Sequence, residues 1–162
     1  MWLKCGIAAA LLAVGAVIWL VSARYSGDQE TRLERNTIAG EMPGKTQAAS
    51  PGEAQRAVAE NEIVFSINTN PVFSGSPKRG NVMFENPLEN QKRTRVEICR
   101  DDNGDVIYES GTLLPGNYIG QAELDMELTP GEYPCTAFVY GYGQKDRQYI
   151  GKVSARIVVT VQ

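Results

Sequence analysis

Residues 62–162 repeat one pattern: short runs with apolar residues on every second position, each run ended by Gly, Pro, Asn or Asp. Period two puts successive side chains on opposite faces of an extended strand. A helix would need apolar residues three and four apart, and that spacing is absent. Short alternating runs with turn signals at this spacing imply an all-β fold, an antiparallel sandwich or barrel of about seven strands.

The runs can be followed one by one. Ile63, Phe65 and Ile67 share a face in the first, which ends at Asn70-Pro71. Residues 70–80 carry Pro71, Pro77 and Gly80 and read as a loop. Val82 and Phe84 then share a face, as do Val96 and Ile98, with Arg95, Glu97 and Cys99 opposite the latter pair. Asn103-Gly104 signals a hairpin, because a type I′ turn needs positive φ at both central residues. After the return strand at Val106, Ala122, Leu124, Met126 and Leu128 alternate against Glu123, Asp125 and Glu127. The last run places Tyr149, Val153, Ala155, Ile157, Val159 and Val161 on one face, with Lys152, Ser154, Arg156 and Thr160 on the other.

Two segments precede this domain. Residues 1–24 contain nineteen uncharged positions, Cys5 to Ala23. As a helix they would span roughly 28 Å at about 1.5 Å per residue, close to a hydrocarbon core of about 30 Å. Trp2 and Trp19 stand near the two ends, where amphipathic rings favour the membrane interface. The run is longer than the apolar core of a signal peptide, about 7–15 residues, which favours a retained single-pass anchor. The alternative is a cleaved signal peptide ending at Val21-Ser22-Ala23. Either way the domain is expected to be extracytoplasmic, with the anchored chain in the cell membrane. Residues 25–61 are rich in Gly, Pro, Ser, Gln, Glu and Ala, with few large apolar residues. Such a stretch buries too little surface to offset its ordering entropy and reads as a disordered stalk.

The segment "LTPGEYPCTAFVY", Leu128 to Tyr140, resembles the L-x-P-G-x-x-Y corner of fibronectin type III and related immunoglobulin-like modules. Its spacing is one residue shorter than the commonest form. The resemblance implies an immunoglobulin-like antiparallel sandwich in which Tyr133 hydrogen-bonds back to the backbone just upstream and Leu128 packs beneath it. Anchor, stalk, and a domain with "N-P" and "I-Y-x-S-G" segments together resemble small membrane-anchored surface proteins of Gram-positive bacteria. That resemblance implies fold and location and carries no established activity.

Chemistry is constrained mainly by what the chain lacks. There are no histidines, so the commonest general base and metal ligand are missing, along with Ser-His and Cys-His nucleophile pairs. A net charge of −3 without a basic stripe argues against nucleic acid as a partner. Cys99 and Cys135 lie on opposite strand phases, which favours two reduced thiols over a bridge. "DDNGD" offers oxygens at Asp101, Asn103 and Asp105, but the Gly and Glu that complete a calcium loop are replaced by Val106 and Thr112. Glu123, Asp125 and Glu127 read as a solvated strand face rather than a catalytic carboxylate pair. No enzyme activity, cofactor or metal is expected.

One feature suits contact. Phe138, Tyr140 and Tyr142 fall on the outward phase of one strand, opposite Tyr133, Cys135, Ala137 and Val139. A row of aromatics on a sheet face fits a protein or glycan partner; the alternative is that another part of the chain covers it. The expected function is an anchored binding or structural module holding a surface or envelope partner. A subunit of an appendage or adhesin, assembled by strand addition, is the alternative.

Overall fold

The computed structural model describes residues 32–43 and 62–162. The expected anchor at residues 5–23 lies outside the described residues, and among those described no helix is long and apolar enough to cross a membrane.

The fold is all-β. In chain order the strands are β1 (Ile38–Ala39), β2 (Val72–Ser74), β3 (Arg79–Gly80), β4 (Phe84–Asn86), β5 (Arg93–Arg100), β6 (Val106–Glu109), β7 (Asn117–Ile119), β8 (Ala122–Glu123), β9 (Gly131–Tyr142) and β10 (Tyr149–Val161). They form a three-stranded sheet, β1-β7-β4, and a seven-stranded sheet, β6-β5-β9-β10-β2-β3-β8. β10 pairs with β2 in parallel; β9 lies antiparallel between β5 and β10. The long central strands carry the expected inward residues: Val96, Ile98, Cys135, Ala137, Val139, Ile157, Val159 and Val161 are all buried in one core. Phe73, Val82, Phe84, Leu113 and Ile119 join them from the shorter strands and loops.

Several local expectations change. Residues 70–80, read as loop, supply β2 and β3. Strands this short carry no alternation, and their pairing is decided by neighbours rather than by pattern. Residues 63–67 do pack Ile63, Phe65 and Ile67 against the core. Yet they reach the sheet only through a bridge from Ser66 to Glu85. A buried amide network holds them: Asn90 Oδ1 accepts the Val64 N–H at 3.2 Å, Asn90 Nδ2 donates to Asn86 Oδ1 at 2.8 Å, and Asn86 Nδ2 donates to Lys92 O at 2.8 Å. The β5–β6 turn is not type I′, since positive φ occurs at Gly104 and not at Asn103. A longer turn forms, closed by Gly104 N–H to Arg100 O and Arg100 N–H to Asp105 O, each at 2.9 Å. Tyr149 also departs from its expected face. A register shift between Tyr149 and Gly151 turns its ring edge-on to Tyr142, with centroids 6.1 Å apart.

Part of the segment read as stalk is described. Within it, residues 32–43 run along the domain. Leu33 bridges to Thr112 in parallel, and Ile38 and Ala39 pair antiparallel with Tyr118 and Asn117. Composition missed this because the pairing uses main-chain groups and needs no apolar side chain.

The corner bond implied by the fibronectin-type resemblance is present locally. Tyr133 Oη–H donates to Thr129 O at 2.7 Å, and Leu128 is buried in the core.

Candidate functional site

The aromatic row sits where three long strands lie side by side. Arg95 of β5 is in register with Tyr140 of β9, Glu97 with Phe138, and Cys99 with Thr136. On the other flank Lys152 of β10 faces Tyr140 and Ser154 faces Phe138. Phe138, Tyr140 and Tyr142 therefore share one sheet face, on the side away from the core. They are not equally accessible: Tyr142 is 0% and Tyr140 6% exposed, while Phe138 is half-buried.

The centre of this face is a residue that sequence reasoning did not single out. Arg95 is 1% exposed although it points away from the apolar core. Its Nε–H donates to Tyr142 Oη at 3.0 Å, and its Nη1 reaches Glu109 Oε1 at 3.0 Å and Glu97 Oε2 at 3.4 Å. The guanidinium lies over the Tyr140 ring, 4.1 Å from its centroid. Lys152 Nζ covers the next rings, 4.9 Å from the Phe138 centroid and 5.8 Å from that of Tyr140. Cations above aromatic faces are attracted by the ring quadrupole, most strongly where water is excluded. A lone Arg at an outward position carries no sign of burial; only the pairing of β5 with β9 reveals it.

The protonation states follow from this packing. Burial opposes the Arg95 charge, but the Tyr142 hydrogen bond together with the Glu109 and Glu97 carboxylates outweighs it, and the pKa moves up. Burial, then the Glu97 charge, pushes the Cys99 thiol up to about 12. The Tyr140 hydroxyl is raised by burial first and Glu97 second, against the pull of Arg95. These groups are fixed as a cation, a thiol and a phenol at neutral pH. They can donate hydrogen bonds and present ring faces, but none is poised to exchange a proton near pH 7.

The remaining candidates are accounted for locally. Cys99 and Cys135 are free, one half-buried and one buried, on adjacent strands but offset in register. In the "DDNGD" turn, Asp101 Oδ1 accepts the Thr136 hydroxyl at 2.7 Å, and Asn103 Nδ2 donates to Asp105 Oδ2 at 2.6 Å. Among the described residues no group of three or more Cys, Asp or Glu is arranged to hold a metal ion. Glu123 lies 3.8 Å from Arg79 Nε, while Asp125 Oδ2 accepts the Glu109 N–H at 2.6 Å. Burial pushes the Asp125 carboxyl upward.

Comparison with known proteins gives no match to any family model, curated sequence or solved structure.

Proposed function

We propose that this chain is a membrane-anchored, extracytoplasmic binding module. An immunoglobulin-like sandwich would present the outer face of β5, β9 and β10 to a surface or envelope partner. The fold reading is supported by the strand order β6-β5-β9-β10, by β2 joining β10 in parallel, by the antiparallel β4–β7 pair and by the Tyr133 corner. The anchor reading is supported by the uncharged run from Cys5 to Ala23.

One observation carries the functional reading. The outer face is pre-ordered by a buried arginine, and beside it stands one partly exposed aromatic ring, Phe138, capped by a lysine. A rigid aromatic contact loses little entropy on binding, which is why such residues dominate contact surfaces. The partner is a protein or a glycan; aromatic faces serve both.

A photo-reactive phenylalanine analogue at position 138, in intact cells, tests the reading. Discrete adducts are expected from position 138. A control analogue at Leu88, which is 72% exposed and lies outside β5, β9 and β10, should give none. Equal labelling from both positions, or labelling from position 88 alone, would overturn it.

A second reading has its own support. The edge of β7 already accepts an added strand, β1, as expected of a subunit that assembles by strand addition.

A further inference from the structure

Residues 32–43 reach the domain through main-chain groups. Thr112 N–H donates to Arg32 O at 2.8 Å, Glu34 N–H donates to Thr112 O at 2.9 Å, and Gly40 N–H donates to Gly116 O at 2.9 Å. Between these, Ile38 and Ala39 pair with Tyr118 and Asn117. The apolar side chains of the segment contribute little, since Leu33 is 52% and Ile38 49% exposed.

The receiving edge is shaped for this segment. A Cβ at Gly111 would fall 2.7 Å from both the Cα and the N of Glu34 and 2.8 Å from Arg32 O, so only glycine admits the close approach. The Gly111 N–H donates to Glu34 Oε2 at 2.7 Å. Arg32 and Arg35 of the segment line one groove with Glu109 and Asp125, and Glu34 adds a third carboxylate to it.

We propose that residues 32–43 of one molecule dock on the 111–119 edge of a second copy, so that the chain assembles by exchanging this strand. The proposal rests on the strand-addition reading and names its donor, its acceptor and its partner. Main-chain pairing does not distinguish a molecule's own segment from its neighbour's, because the groups involved are identical. Eighteen residues, 44–61, separate the segment from the domain it would leave. At about 3.3 Å per residue they allow a span of up to roughly 60 Å, enough to reach an adjacent molecule.

The test uses the full-length chain with Cys5, Cys99 and Cys135 replaced by serine, serine and alanine. Ala39 and Asn117 are register partners, so cysteines there can be joined by oxidation. One chain carries Ala39→Cys, and a second, affinity-tagged chain carries Asn117→Cys. Co-expressed and oxidised, they should give a covalent dimer at twice the 17.7 kDa chain mass, more than either variant gives alone. Gly111→Ala in the Asn117→Cys chain should abolish that excess. The Ala39→Cys/Asn117→Cys double variant supplies the control. If it closes within one chain while the mixture gives no excess dimer, exchange is overturned and the β7 edge remains a strand acceptor. If neither closes, the strand-addition reading falls as well.

Discussion

Replacing Glu97 and Glu109 together by glutamine should destabilise the domain more than replacing Arg95 by methionine. The difference follows from unequal burial of the partners. The Arg95 side chain is 2% exposed, against 20% for Glu97 and 44% for Glu109. When Arg95 is removed, both carboxylates can turn to water and the desolvation cost of a buried cation disappears. Methionine refills most of the length. What is lost is the bond to Tyr142, worth about 1 kcal/mol, and the contact with the Tyr140 ring, also about 1 kcal/mol. The ion pairs with partly exposed carboxylates add at most about 1 kcal/mol. Against these losses, about 3 kcal/mol together, stands the relief of no longer burying a charge, about 2 kcal/mol, leaving a net cost of about 1 kcal/mol. When the carboxylates are removed instead, the guanidinium stays buried without a counter-charge. That situation costs about 3–5 kcal/mol in fully buried pairs; the exposure of Glu109 and the retained Tyr142 bond reduce it to about 2–3 kcal/mol. Urea unfolding followed by far-UV circular dichroism reads the difference. Tryptophan emission does not, because Trp2 and Trp19 both lie within residues 1–24, ahead of the β domain. A methionine variant as costly as the double glutamine variant would refute the reasoning.

Two further outcomes are expected. Tyr133→Phe removes the 2.7 Å bond to Thr129 O and should cost about 1 kcal/mol with an unchanged unfolding slope; no change in midpoint would mean the corner is held by packing alone. Alkaline pH should weaken the fold through its thiols. Burial, with the Asp101 charge second, raises Cys135 from 9.0 to about 11, and Cys99 rises to about 12. The folded state therefore holds these protons longer than the unfolded chain does. Their contribution is complete below pH 9 and is lost as pH rises toward 11 and 12. Cys135→Ala should flatten that decline; an equally steep decline in the variant would assign it to other groups, such as the buried Tyr108 and Tyr140 hydroxyls.

The parts of the fold legible in the sequence are those where burial and period act together. β5, β9 and β10 are long enough for alternation to show, and their inward residues are the buried ones. The run from Ala122 to Leu128 shows the limit of that signal. Leu124 and Leu128 are buried as the alternation implies, yet only Ala122 and Glu123 form a strand. Alternation reports which side chains face inward and does not report main-chain pairing. β7 and residues 32–43 lie wholly beyond it: Asn117–Ile119 is flanked by glycines, and the 32–43 segment is polar with exposed apolar residues. The aromatic row was legible as a row. Which of its rings stays accessible depended on Arg95 and Lys152, and those positions matter only once three strands are in register.

The most direct measurement compares the wild-type chain with Phe138→Ser in crosslinked co-isolation from intact cells, after confirming equal melting temperatures. Phe138 is only half-buried and outside the core, so serine should leave the fold intact. Loss of the co-isolated partner at unchanged stability is expected if the outer face of β9 is the contact surface. Equal recovery of the same partner by both chains would contradict it.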